Sequence, residues 1–377
     1  MIESLPDKYL QVRSLVTAQG ELELSLAETP IPQLQPNQVL VRVDASPINP
    51  SDLMLFLAGA NPEDLRAEGT PQRPVVRGPL SEAAIARAAG RVGLNLTAGN
   101  EGAGVVVAAG AQAQALIGRT VAAGVGGMFT QYRVVKAANC LVLPGDVTAQ
   151  EGCAAIVNPT TALGMVETMR LDGHCALVHT AAASSLGQML HRLCQADGVE
   201  LVNIVRRPAQ AALLRAQGAR WVCDSSDPGF EAALIHALSE TGATVAFDAI
   251  GGGEMAGRML AAMEAAVNAR TPEFARYGSP VHKQVYIYGA LDDGPTVFTR
   301  DFGWAWSLGG WSIPAFTGRI GEDAAQRLRQ RMVAELRTTF ATAFTRSLAP
   351  AEMLDPANIA AYAALATGEK FMLKPHG

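Results

Sequence analysis

The stretch Cys175-Ala-Leu-Val-His179-Thr-Ala-Ala-Ala-Ser184-Ser185-Leu-Gly187-Gln-Met-Leu-His-Arg-Leu-Cys194 decides the fold. A short apolar run passes through small residues into helical spacing. Leu186, Met189, Leu190, Leu193 and Cys194 fall at i, i+3, i+4, i+7 and i+8, one face of an α-helix. Strand, tight turn and helix in that order aim the first N–H groups of the helix, and the positive end of its dipole, above the strand end. Such a site suits a pyrophosphate. The glycine fingerprint usual there, G-x-G-x-x-G, is reduced to Ala182-Ala183-Ser184-Ser185-Leu186-Gly187, with only the last glycine kept. The turn alone leaves two readings open. One is a plain βα turn capped by Ser184 or Ser185; the other is a nucleotide turn whose serine hydroxyls donate to phosphate.

The next strand favours the nucleotide. Val199-Glu-Leu-Val-Asn-Ile-Val-Arg206-Arg207-Pro208 is rich in β-branched residues and ends where proline opens a helix. At this strand tip an acidic residue binds the 2′-hydroxyl of NAD, whereas arginine accommodates the 2′-phosphate of NADP. Here the tip carries no acid and two adjacent arginines, so the expected cofactor is NADPH; a solvated arginine pair is the bland alternative. Arg206 and Arg207 would make charge-assisted, bidentate contacts with that phosphate.

Length and composition set the bounds. A chain of 377 residues with 49% apolar and 17% charged residues has material for two cored domains and is not a disordered chain. Net charge is −5 without a basic stripe, which argues against nucleic acid as a partner. Cys140, Cys153, Cys175, Cys194 and Cys223 are odd in number and widely spaced, which suits buried thiols in a reducing compartment. The opening residues do not read as a signal peptide, and the most apolar stretch, 103–117, is too interrupted to span a bilayer. A cytoplasmic protein without membrane association is expected.

Along the chain, 1–145 reads as β-rich, with short runs at 9–16, 21–26, 38–43, 104–107, 120–123 and 131–135 punctuated by Pro and Gly. From Pro159 the rhythm changes to helix 160–169, strand 175–179, strand 199–205, helix 208–217, strand 220–223, helix 228–240, strand 244–248, helix 253–268 and strand 283–289. That pattern predicts an α/β fold with a doubly wound parallel sheet. Ile250, Gly251, Tyr288, Gly289 and Ala290 then stand at carboxyl ends of strands, where such sheets bind ligands. A long helix is expected over 322–345, and 369–375 reads as a last strand returning to the first domain.

Five motifs now coincide in order: Asn49-Pro-Ser-Asp52, Gly99-Asn100-Glu101-Gly102-Ala-Gly104, Asn158-Pro159-Thr160-Thr161-Ala162, the 181–187 turn, and 368–375. Together they resemble the zinc-independent branch of the medium-chain dehydrogenase/reductase superfamily, the NADPH:quinone oxidoreductases and 2-enoyl thioester reductases in particular. The resemblance covers about 8–375 except an extra segment near 60–98. It implies a GroES-like β-rich domain over 1–157 and 325–377, a Rossmann NADPH-binding domain over 158–324, and a homodimer.

It also implies the site. Zinc members carry a Cys and a Gly-His-Glu motif where this chain has Ser51 and Asn100, so no metal site is expected. Asn49 and Thr161 carry over as polar positioners, with Asp52 and Asn100 beside them as further catalytic candidates. Asn49-Pro50-Ser-Asp also reads as an Asx-type turn opening a helix at 51–57. The cofactor set is Asn49, Asn158, Thr161, Ala182, Ser184, Ser185, Leu186, Gly187, Arg206, Arg207, Ile250, Gly251, Tyr288, Gly289, Ala290 and Trp311. Thioester reductases of this branch place a tyrosine shortly after the first helix, and 56–62 here holds none. The expected reaction is therefore hydride transfer to a quinone or reactive α,β-unsaturated carbonyl. Thioester reduction is the first alternative, and a weakly active NADPH-binding redox sensor or structural protein the second. The 61–96 segment, bordering the acceptor pocket by its place in the chain, is expected to be a lid. Trp304, Trp306 and Trp311, with Phe298 and Phe302, are expected to cluster after the last sheet strand.

Overall fold

The computed structural model describes residues 5–270 and 275–377; the start of the N-terminal stretch, 1–4, lies outside them. Two compact units emerge: Met1–Val157 with Met332–Arg337 and Ala341–Gly377, and Asn158–Arg331 with Thr338–Phe340.

In the first unit, alternation of apolar and polar residues makes paired strands with one face buried. Strands β1 (Lys8–Val16), β2 (Glu21–Pro30) and β3 (Gln38–Pro47) precede a short helix, α1 (Pro50–Leu57). A hairpin, β4 (Arg66–Thr70) and β5 (Arg73–Pro79), comes next, followed by α2 (Glu82–Arg87), β6 (Leu96–Thr97), β7 (Gly102–Ala109), β8 (Thr120–Ala123), β9 (Tyr132–Lys136), β10 (Leu141–Val142) and α3 (Ala149–Gly152). One sheet has the order β4-β5-β2-β1-β6. The other runs β10-β8-β7-β3, with β9 also on β3, and continues through Phe371–Leu373 to Arg346–Leu348.

The 61–96 segment is not a lid. Its β5 pairs antiparallel with β2, and Leu65, Val76, Leu80, Ala84 and Ala88 share a buried core with Leu22, Leu24, Phe56 and Leu57. Arg91 also donates to the carbonyls of Leu55 and Ser14, tying the end of α1 to β1. The segment is apolar at core spacing because it supplies part of that core.

The second unit is a parallel sheet. Helix α4 (Val157–Leu171) leads into β11 (Ala176–His179), α5 (Ser185–Asp197), β12 (Glu200–Val205), α6 (Pro208–Ala216), β13 (Trp221–Asp224), α7 (Phe230–Thr241) and β14 (Val245–Asp248). Then come β15 (Gly251–Gly253), α8 (Met255–Arg270), β16 (Lys283–Ile287), β17 (Asp292–Thr296), β18 (Trp306–Gly310) and α9 (Ile313–Ala334). The order β13-β12-β11-β14-β16-β18 reverses direction between β11 and β14, the crevice where doubly wound sheets take their ligands. A GroES-like β-rich unit and a Rossmann unit are thus both present.

Three expectations are corrected. The long helix runs Ile313–Ala334 rather than 322–345, with Gly321 at φ 76° breaking it internally, and 325–331 falls in the second unit. Trp306 does not follow the last strand but begins β18, a sixth strand whose Leu-Gly-Gly end carries no period-two signal. The aromatic cluster divides: Phe298, Phe302 and Trp306 pack together, with ring centroids 4.9–6.3 Å apart. Trp311 instead lies against Phe247 and Phe316, and Trp304 is 78% exposed.

Candidate functional site

The βα turn of the second unit is built for close approach. Ser184 caps α5, its Oγ accepting from Gly187 N at 3.1 Å. Gly187 is required by packing, since a Cβ there would sit 2.2 Å from the Ala182 carbonyl oxygen. Ala181 takes φ +51°, a left-handed value usually left to glycine. The first N–H groups of a thirteen-residue helix therefore open beside Ser184, Ser185 and Leu186.

One strand away, Arg206 and Arg207 follow β12 and are both exposed, with no ion-pair partner among the described residues. Arg206 N donates to Gln210 Oε1, which fixes the backbone and leaves the guanidinium free of carboxylates. The residues present therefore fit a phosphorylated dinucleotide: helix donors for a diphosphate, two unpaired guanidinium groups for a further phosphate.

Across the switch point, Asp248 is fully buried at the end of β14 and acts as a clasp. It accepts from Thr180 Oγ1 at 2.8 Å, Ile250 N at 2.9 Å and Gly251 N at 3.2 Å. Thr180 Oγ1 in turn accepts from Ala249 N. Tyr288 N donates back to the Asp248 carbonyl, and Gly251, at φ +82°, lies so close to Gly289 that a Cβ would come within 2.8 Å of its oxygen. Ile250, Gly251, Tyr288, Gly289 and Ala290 therefore form one continuous backbone surface. The Tyr288 hydroxyl turns inward, 2.7 Å from His179 Nε2, and burial pushes the His179 pKa down to about 3. His179 is a neutral core residue, and the Tyr288 hydroxyl is taken up by it.

On α4, Asn158 and Thr161 are buried near the helix start. Trp311 donates its indole N–H to Thr168 Oγ1 at 3.0 Å on the same helix, so this expected cofactor contact is occupied in packing.

In the first unit the structure gathers Asn49, Asp52 and Asn100, and adds two residues that the motifs contained without a role, Glu101 and Lys370. Asp52 caps its own helix, accepting from Asn49 N at 2.7 Å, and also from Asn100 N at 2.6 Å. Glu101, fully buried, accepts from Asn49 Nδ2 at 2.9 Å, Ile156 N at 3.0 Å and Val157 N at 2.9 Å. Lys370 Nζ donates to Asn49 Oδ1 and, at 3.1 Å, to the Ile48 carbonyl. Burial raises the Asp52 carboxyl to about 7 against the pull of those two backbone N–H groups. It raises Glu101 and lowers Lys370 as well. Asn49 itself is 1% exposed, so its amide is committed to protein partners.

Above this network, Asn100 Nδ2 donates to Ser51 Oγ at 3.0 Å on the accessible side. A hydroxyl and an amide that bond each other are a poor donor set for zinc, which takes thiolate, imidazole or carboxylate. Among the described residues no group of three or more His, Cys, Asp or Glu is placed to hold a metal ion, and no helix is long and apolar enough to cross a membrane.

Comparison with known proteins agrees with this geometry. Residues 35–145 match the alcohol dehydrogenase GroES-like domain. A quinone oxidoreductase from Pseudomonas aeruginosa is 27% identical over 163 residues, 42% of this chain and 50% of that protein; the chain thus matches about half the length of this curated relative. Among solved structures, a Mesorhizobium loti protein provisionally named an NADPH:quinone reductase superposes with TM-score 0.73 at 24% identity, over 99% of this chain and 100% of that one. A mutant form of enoyl thioester reductase from Candida tropicalis gives TM-score 0.66 at 16% identity, over 98% and 100%. Those two likenesses speak for the fold, and the sequence match assigns residues 35–145 to the alcohol dehydrogenase GroES-like domain.

Proposed function

We propose that the protein is an NADPH-dependent oxidoreductase of the zinc-independent, quinone-reductase branch. It passes hydride to a quinone or a reactive α,β-unsaturated carbonyl, as a cytoplasmic homodimer. The observation that carries the reading is the pair Arg206–Arg207, exposed and free of carboxylates one strand from the capped start of α5. When bound, NADPH supplies hydride from C4 of its nicotinamide. The chain's own residues do the rest. Ser185 and Leu186 present the helix N–H groups to the diphosphate, and Gly187 keeps the turn tight enough for it to approach. The Asp248 clasp holds Ile250, Gly251, Gly289 and Ala290 as a rigid backbone surface for the ring end. Asn49, Asp52 and Asn100 in the first unit, and Thr161 in the second, are the polar positioners. A quinone needs no placed acid, since its hydroquinone anion takes a proton from water.

Titration with NADPH and NADH tests the reading. Each arginine–phosphate contact is worth about 1.5–3 kcal/mol, so NADPH should bind roughly 10- to 100-fold more tightly. Arg206→Ala and Arg207→Ala should each erode that preference while leaving NADH affinity unchanged. Equal affinities for the two coenzymes in the unaltered protein would overturn it. Similarity to the Candida tropicalis enzyme supports thioester reduction as a second reading. Turnover on a crotonyl thioester but not on a quinone panel would select it.

A further inference from the structure

Three ionisable side chains, Asp52, Glu101 and Lys370, are buried around one neutral amide, Asn49. Removing an ammonium and two carboxylates from water costs several kcal/mol for each ion, and apolar residues of similar volume would usually serve stability as well or better. The arrangement is explained by what it does to the amide. A carboxylate only accepts and an ammonium only donates. Glu101 therefore compels Nδ2 to face it, and Lys370 compels Oδ1 to face the other way. The amide cannot flip without placing donor against donor and acceptor against acceptor. Lys370 reaches this point from the segment just before Phe371–Leu373, the strand paired with β3, and it also grips the Ile48 carbonyl. The turn from Ile48 to Asp52 is thereby fixed at both its side chain and its main chain. Exposed Ser51 and half-buried Asn100 bond each other, and Asn100 N is tied to the same turn through Asp52.

We propose that Lys370 is a positioning residue for hydride transfer, acting through Asn49 by locking its amide and the 48–52 turn in one orientation. The proposal rests on the oxidoreductase reading above, and its signature is a change in kcat.

The test is a double-mutant cycle on the full chain with Lys370→Met, Asn49→Ala and both together. It reads kcat and KM with NADPH and a quinone, NADPH Kd by fluorescence titration, and Tm. Lys370→Met should lower kcat roughly 10- to 100-fold, the scale of a small misplacement of a positioned group, with NADPH Kd unchanged. Asn49→Ala should lower kcat by a similar factor, and the double variant should be no slower than either single one. A merely structural lysine would lower Tm and leave kcat per folded molecule intact, and that outcome overturns the proposal. So does strict additivity in the cycle. Should Lys370→Met fail to fold, Asn49→Ala decides alone, because unaltered kcat there leaves Lys370 nothing to act through. Absence of turnover in the unaltered chain would instead overturn the oxidoreductase reading, and this proposal with it; normal turnover with an indifferent Asn49→Ala overturns this proposal only.

Discussion

Each unit of this chain buries one lysine near one glutamate, and the two are built differently. In the second unit Lys283 Nζ meets Glu264 Oε2 directly at 2.5 Å, with side chains 0% and 6% exposed. Ser279 donates to the same carboxylate through its N at 2.7 Å and Oγ at 3.0 Å, and Asn268 adds a bond at 3.1 Å. Burial pulls the Glu264 carboxyl upward, but these donors outweigh it and the net direction is down. The pair lies where β16 begins, at the end of the parallel sheet opposite His179 and Asp248, and it sews α8 to the strand. In the first unit an amide stands between ammonium and carboxylate, Lys370 holds only neutral oxygens, and Lys370 and Glu101 are both pushed toward their neutral forms. A closed ion pair stabilises; an open one with an amide in its middle orients that amide.

The largest effect that could break this contrast comes from Lys283→Met. Removing one partner of a closed buried pair leaves the other charge stranded, at a cost of about 3–5 kcal/mol. Chemical denaturation should show that loss, while kcat per folded molecule stays at the unaltered value. Lys370→Met should show the opposite balance. If Lys283→Met slowed turnover more than Lys370→Met, the two sites would have exchanged roles and the contrast would fail.

A second variant sharpens the open site. Glu101 uses one oxygen for Asn49 Nδ2 and the other for two backbone N–H groups. Glutamine has a single acceptor oxygen, so Glu101→Gln must turn its NH₂ toward a donor on one side. An unsatisfied buried group of this kind costs about 1–3 kcal/mol. The decisive measurement pairs denaturant midpoint with kcat: both should fall, whereas at the closed site stability alone should.

How much of this could be read in the sequence follows from where each signal lies. The alternation of short apolar runs and amphipathic helices between residues 160 and 287 is local, and the parallel sheet appeared where that pattern put it. Trp306–Gly310 escaped because its last residues are Leu-Gly-Gly, without side chains to show a period. The 61–96 segment was not legible as core. Its partners Leu22 and Leu24 lie some forty or more residues earlier, and pairing at that distance leaves no local mark. Asn49, Asp52 and Asn100 were visible as motif residues. Lys370 was not, because it meets Asn49 across 321 positions. Asp248 was passed over for the glycines that follow it, although a carboxylate ahead of Ala-Ile-Gly is the natural acceptor for their N–H groups.

The most gradual effect, small within any one pH unit, separates the open site from its surroundings by titration. Burial lifts the folded Asp52 carboxyl from 3.8 to about 7, despite the two backbone donors and the Lys370 charge, and with Glu101 adding to the rise. Over that interval the folded chain holds a proton that the unfolded chain has released. Its contribution to stability is therefore complete below pH 4 and is lost as pH climbs toward 7, with a slope of up to about 1.4 kcal/mol per pH unit for one whole proton. His179 acts in the reverse sense: lowered to about 3, it favours the folded state as pH rises from 3 to 6.5. The raw profile mixes the two, so the informative quantity is the difference between the unaltered chain and Asp52→Asn. Denaturant midpoints from pH 4 to 8 should show the variant gaining on the unaltered chain as pH rises. Parallel profiles would mean that Asp52 stays ionised throughout, and that the 48–52 turn is set by a charged rather than a proton-bearing carboxyl.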